Sequence, residues 1–369
     1  MDPEALRADI PVCEDTVYLN TGASGPSPQR VVRASADEQA WHEHEATVDP
    51  GPYTSAYERY EETREAVAGL LDSPADEIAL SGSTADGISR VANAIDWEEG
   101  DAIVRTDLEH PAGIVPWARL REEGCEVREV SCPSGTPDMD ELKEAVEGAR
   151  LVCLNSISWL HGSRLPLREV ADVAHDAGAR VLVDAVQSPG QEAVRPREWG
   201  ADAVVAAGHK WLLGTWGAGF VWVAPDFVDE LRPRHVSYRS VDDSSAYPLD
   251  YHDGARRLEV GTANPAPYAA LREAIEIHDE LGLGTVRDRI HELIDRLKTG
   301  VPDERLVSPA EFESGLVAFE VEEPDAVVER LADRGVHVRS VPRPDTVRAS
   351  VHVFNDESDI DALLDGLPF

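Results

Sequence analysis

Between residues 76 and 224 the chain alternates short apolar runs with stretches of helical period, and few architectures accept that order. The runs are DEIALSG (76–82), DAIVRTD (101–107), ARLVCLNSIS (149–158), ARVLVDAV (179–186), ADAVVAAG (201–208) and GFVWVA (219–224). Between the third and fourth, PLREVADVAHDAGA (166–179) repeats its apolar residues every three or four positions and ends at glycine, as an amphipathic helix does. A strand that is apolar at nearly every position has both faces covered. Such strands joined by helices predict an α/β fold around a largely parallel sheet. The turn bearing His209 and Lys210 joins the last two runs and allows one of them to run antiparallel.

Past residue 224 the pattern changes. Residues 232–257, RPRHVSYRSVDDSSAYPLDYHDGARR, have no period, and loops of that length tend to be functional. Helical patterns over 265–299 lead into GLVAFEV, PDAVVERLADRG, VHVRSV, TVRASVHVF and DESDIDALLDGL, a strand–helix–strand–strand–helix order. That order predicts a smaller C-terminal α+β domain. The expected division is an N-terminal arm (1–15), a large domain (16–260) and a small domain (261–369).

Charge narrows the classes of partner. With 34 basic against 71 acidic residues the net charge is −37, which disfavours nucleic acid and anionic membranes. The same acidity predicts adaptation to high salt, where screening quenches self-repulsion. The opening residues, MDPEALRADIPVCEDTVYLN, lack the apolar core of an export signal. No apolar run approaches the roughly 20 residues that span a bilayer. Cys13, Cys125, Cys132 and Cys153 show no CxxC spacing and read as buried thiols. The expected setting is the cytoplasm.

Only three lysines occur, Lys143, Lys210 and Lys298, so a lysine retained at the end of an apolar strand stands out. Lys210 at such a place can lose its proton by desolvation and attack carbonyls, which arginine cannot do. Asp184 ends another apolar run, at the carboxyl end of a predicted parallel strand, where open α/β sheets bind ligands. A carboxylate there can keep a pyridine nitrogen protonated; it can equally cap the following turn. Gln187 follows three residues later and could bond a ring hydroxyl.

In LSGSTADGISRVANAI (80–95) a strand end, a Gly/Ser/Thr turn and a helix start combine, a cradle for phosphate. Ser83 or Thr84 serves equally well as an N-cap. His110, just past a strand, can stack on a flat ring. Arg348, inside an apolar strand, calls for a carboxylate, from a substrate or from a structural salt bridge.

In chain order, LSGSTADGI, LEHPAGIVPW, SISWLHGSRLPLREVADVAHDAGARVLVDAVQSPG, ADAVVAAGHKWLLGTWGAGFVWV, RRLEVGTANP and VRASVHVFNDESDID resemble the fold-type I, class V aminotransferases, cysteine desulfurases included. The resemblance covers most of the chain, and its long central stretch is the most specific part. It implies a large, mainly parallel, seven-stranded-type sheet domain and a small C-terminal domain. It also implies pyridoxal 5′-phosphate (PLP) as cofactor, an amino-acid substrate, and a homodimer that shares its active sites. In that scheme Lys210 forms the Schiff base, Asp184 faces the pyridine nitrogen, Gln187 the ring oxygen, and His110 stacks on the ring. Ser83, Thr84, Ala85 and His209 surround the phosphate, with Thr262 supplied by the partner subunit. Arg348 takes the substrate carboxylate, with Trp159 beside it.

Three departures bear on the reaction. Residues 335–350, GVHVRSVPRPDTVRAS, carry no cysteine and look shortened, where desulfurases place a catalytic cysteine. Trp159 stands where desulfurases usually have asparagine, as in C–S lyase and epimerase branches. Ala207 and Ala85 replace hydroxyl residues common around the phosphate. The reading from sequence is an aminotransferase. The alternatives are a cysteine/cystine C–S lyase or desulfurase-like enzyme and, less favoured, a catalytically silent PLP-fold binding protein.

Overall fold

The computed structural model describes residues 1–133, 135–342 and 345–369. A two-residue strand β1 (Val17–Tyr18) precedes the main sheet. That sheet is built from β2 (Ile78–Ser81), β3 (Ala102–Thr106), β4 (Glu126–Val130), β5 (Ala149–Asn155), β6 (Arg180–Asp184), β7 (Ala203–Ala207) and β8 (Gly219–Val223). Their spatial order is β2-β8-β7-β6-β5-β3-β4. Pairings from β4 through β3, β5 and β6 to β7 are parallel, and only β8, between β7 and β2, runs against its neighbours. The seven-stranded, mainly parallel sheet is the one expected.

Sequence composition explains the layers. In β2, β7 and β8 every residue is buried, as strands with both faces covered require. The helix Leu167–Asp176 turns Leu167, Val170, Ala171 and Ala174 inward, one apolar stripe at helical spacing. Fully burying a side chain such as Val183 or Leu182 contributes roughly 1.5–3 kcal/mol. The apolar-run reading missed β4: Glu126-Val-Arg-Glu-Val130 is an edge strand with Glu126 and Glu129 exposed and only Val130 fully buried, so charge interrupts its apolar pattern.

Two short strands, β9 (Val241–Asp243) and β10 (Asp250–Tyr251), pair within the long polar stretch. The smaller C-terminal sheet contains β11 (Leu316–Glu320), β13 (Arg339–Ser340) and β14 (Thr346–Ser350), in antiparallel order β11-β14-β13. Between β11 and β13 lies β12 (Val336–His337), which pairs parallel with β1. The N-terminal segment therefore docks on the C-terminal unit: Arg7 also forks onto Asp359, at 2.7 and 2.9 Å. Among the described residues no helix is long and apolar enough to cross a membrane.

Candidate active site

The carboxyl ends of β2, β3, β5, β6 and β7 open on one side of the sheet, and the loops that leave them wall a cavity of about 310 Å³. Gly82–Ala85 come from the end of β2, His110 from β3, Trp159 from β5, Asp184 and Gln187 from β6, and His209 and Lys210 from β7. Residues spread over more than a hundred positions thus converge, as the position of ligand sites in open α/β sheets requires.

Asp184 is buried, and its Oδ1 accepts the amide of Val186 at 3.0 Å. Burial raises its pKa; that amide and the charge of Lys210 oppose the rise. Lys210 is partly buried, and desolvation pulls its pKa down to about 8 against the attraction of Asp184, with Arg348 and Arg339 lowering it further. An amine in this state is available as a nucleophile near neutral pH. His110 and His209 are both held below the ordinary imidazole range, by partial burial first and by Lys210 next. The His110 ring meets Trp159 edge-on, with centroids 5.2 Å apart.

At the phosphate end the expectations separate. Ser83 caps the helix Thr84–Ala92, its hydroxyl accepting the Asp86 amide at 3.1 Å, so capping accounts for it. The Thr84 hydroxyl, by contrast, is buried without a partner. A buried orphan donor beside a helix N-terminus and a lysine fits an anionic group. Ala85 lines the cavity too. Ala207 does not; it ends β7 paired with Gly219. Thr262 lies outside this cavity, exposed, with its amide bonded to the Tyr238 hydroxyl at 2.8 Å.

Gln187 is committed on both sides of its amide. Its Oε1 accepts the indole N–H of Trp211 at 2.7 Å, and its Nε2 donates to the Gly22 carbonyl at 3.1 Å. One N–H remains for a ring oxygen. Arg348 is fully buried, donates to the Trp159 carbonyl at 2.6 Å, and leaves Nε and a terminal nitrogen without partners. Burial, with Arg339 beside it, lowers its pKa to about 9.

Sequence reasoning overlooked the segment after β1, Arg339 and Glu109. Gly22 and Ala23, from the segment after β1, line the cavity, and the Gly25 amide donates to the His209 carbonyl at 2.8 Å. A Cβ on Gly25 would collide with the Lys210 carbonyl oxygen, so only glycine permits this approach. The polar TGASGPS run (21–27) was the available signal. Arg339 also lines the cavity; its signal was a second arginine in an apolar strand, VHVRSV. Glu109, next to His110, is fully buried and pushed up to about 8 by that burial, with its Oε1 accepting from Thr106 and Asn155.

Comparison with known proteins follows this geometry. The profile of the aminotransferase class-V family matches residues 17–363. A probable cysteine desulfurase of Methanothermobacter thermautotrophicus is 32% identical, covering 98% of this chain and 96% of its own. A mutant of C-DES with glycine covalently linked to its PLP cofactor superposes with TM-score 0.91 at 25% identity, covering 97% and 98%. The cystine C–S lyase C-DES, in complex with its reaction product cysteine persulfide, gives 0.90 at 26% identity over 96% and 98%. The family's cofactor thus meets a cavity with a desolvated lysine, a buried aspartate and an orphan threonine hydroxyl, and this chain belongs to the class-V aminotransferase family of PLP-dependent enzymes.

Proposed function

We propose that the chain is a C–S lyase, cleaving the carbon–sulfur bond of cysteine or a cysteine derivative by β-elimination. This replaces plain transamination, the first reading from sequence, as the favoured reaction, because the similar proteins bear the names of cysteine desulfurases and a cystine C–S lyase. Bound PLP supplies an electron sink that makes the α-proton of an amino acid acidic. Lys210 would hold the cofactor, and its Nζ is placed to move the α-proton at Cα. Asp184 would keep a proton at the pyridine nitrogen, Thr84 and the first-turn amides of its helix would hold the phosphate, and His110 would lie against the ring. Gln187 contacts the ring oxygen through its remaining N–H. Arg348 receives the α-carboxylate on its unpartnered nitrogens.

The observation that favours a lyase over a desulfurase is the absence of a thiol from the described cavity wall. All four cysteines, Cys13, Cys125, Cys132 and Cys153, are buried elsewhere. A desulfurase passes sulfur to a protein thiol and yields alanine; elimination needs no such thiol. For cysteine it consumes one water and gives sulfide, ammonium and pyruvate. Within the stretch 335–350, residues 343 and 344 lie outside the described residues. A homodimer completes the site by bringing the partner's Thr262 to the phosphate. Support comes from Trp216, which lines the cavity yet is 71% exposed, and from Tyr247, 97% exposed.

The test is purified holoenzyme with an amino-acid panel at high salt, following sulfide, pyruvate and alanine. Sulfide and pyruvate in equal amounts are expected from cysteine. Sulfide with alanine, or a requirement for a 2-oxo acid acceptor, overturns the proposal.

A further inference from the structure

A glutamine amide can bond from either end, and its orientation is decided by what the two ends meet. At Gln187 both neighbours have fixed roles. An indole N–H only donates, so the atom 2.7 Å from Trp211 Nε1 is Oε1. A carbonyl only accepts, so the atom 3.1 Å from the Gly22 oxygen is Nε2. Gln187 is buried and lines the cavity, and Nε2 keeps one N–H uncommitted. The chain itself therefore turns Gln187 as a donor, not as a carbonyl, toward a bound ring.

Trp211, next to Lys210, is held without freedom. It is fully buried and stacks on His352, with ring centroids 5.6 Å apart and planes 20° from parallel. His352 Nε2 donates to the Trp211 carbonyl at 2.8 Å, and its Nδ1 accepts the Val353 amide at 2.8 Å, so both ring nitrogens are committed. Two glycines make the room. A Cβ on Gly315 would stand 2.7 Å from two indole carbons, and one on Gly190 would collide with the Trp211 carbonyl oxygen. A core that needed only volume here could take a phenyl ring, which has no buried donor to satisfy. The indole brings such a donor and commits it to Gln187.

We propose that Trp211 is a positioning residue for the cofactor's ring oxygen: by holding Oε1 of Gln187 it keeps that side chain turned as a donor, so that the ring oxygen is bound as an acceptor without its own proton. The inference rests on Gln187 facing the ring oxygen and is independent of which reaction follows. It has a spectroscopic consequence. A donor on the ring oxygen weakens its hold on the proton it shares with Lys210 Nζ when PLP is joined to that lysine, so the proton leaves at lower pH.

The experiment is a pH titration of the holoenzyme's visible absorbance for wild type, Trp211→Phe, Gln187→Leu and the double variant. A neutral hydrogen bond is of a size to move the midpoint by about half to one pH unit. Trp211→Phe should raise the midpoint by about that much and Gln187→Leu by at least as much. The double variant should go no higher than Gln187→Leu, because the indole acts through the amide. Site-specific replacement of Trp211 by benzothienylalanine, which keeps the bicyclic shape and lacks the N–H, should give the same shift, and it carries the test if the phenylalanine variant folds poorly. A midpoint moved by Gln187→Leu but by neither change at Trp211 overturns the proposal, as do shifts that simply add in the double variant. A midpoint that Gln187→Leu leaves in place overturns the ring-oxygen assignment and the proposal with it.

Discussion

At the start of β6, Arg180 bonds Asp202 at 2.7 Å and Asp226 at 2.9 Å and also reaches Glu230, while His175 holds the other oxygen of Asp202 at 2.9 Å. At the end of the same strand, Asp184 has one backbone amide and the distant pull of Lys210, and among the described residues no carboxylate forms a salt bridge with Lys210 or Arg339 at that cavity. Five residues of one strand join a charge cluster that is complete to one that is not. Charges completed by the chain itself serve stability; charges left incomplete inside a formed cavity wait for a ligand.

Substitutions at the two ends should therefore separate activity from stability. Lys210→Ala should remove the visible absorbance of the bound cofactor and lower turnover by about 10³-fold or more, with an unchanged melting temperature. A variant that kept both band and rate would end the comparison at its functional side. Asp184→Asn should leave the fold intact and cost about 10²–10³-fold in kcat, because the amide cannot hold the ring proton.

Arg180→Ala should do the reverse. It leaves the nearly buried Asp202 without its guanidinium and should destabilise by about 2 kcal/mol, less than the 3–5 kcal/mol typical of fully buried pairs, with kcat unchanged. Arg180 holds Asp226 below the usual carboxylate range. That contribution is present above the unfolded carboxylate value near 4 and fades as pH falls through the lower folded value. Denaturant unfolding of wild type and variant from pH 7 to 3 should therefore converge toward the acid end. The smallest effect concerns the amine. With Lys210 near 8, PLP uptake by the cofactor-free protein should slow about tenfold per unit below pH 8 and level off above it. Uptake that keeps rising about tenfold per unit well above pH 8 would show that the amine is not desolvated as described.

Much of the completed half of this picture was hidden from sequence reading, and much of the incomplete half was visible. Lys210 and Asp184 stood out because each is a charged residue that ends a run of apolar ones, a local pattern that requires a reason. Thr84 could be named but not separated from Ser83, since a capping hydroxyl and a free one look alike until the helix start is located. Arg339 escaped notice because its place in the cavity wall depends on a register with β14 that only folding creates. Strand β4 escaped because an edge strand does not need apolar faces. Gly25 was overlooked because the carbonyl it approaches belongs to residue 210, far along the chain.

That last contact bears on the order in which the molecule assembles. The segment from Val17 to Ser27 leans on the Lys210 loop and pairs, through β1, with β12 at Val336 and His337. Closing so large a loop before its contacts can reward it makes this one of the slowest steps of folding. The five parallel strands can gather Lys210 and Asp184 while Gly22, Arg339 and Arg348 are still unplaced. In the proposed assignment, the residues that hold the cofactor are then in place before the arginine that would take the substrate carboxylate, and the site is complete only when the most distant segments of the chain meet.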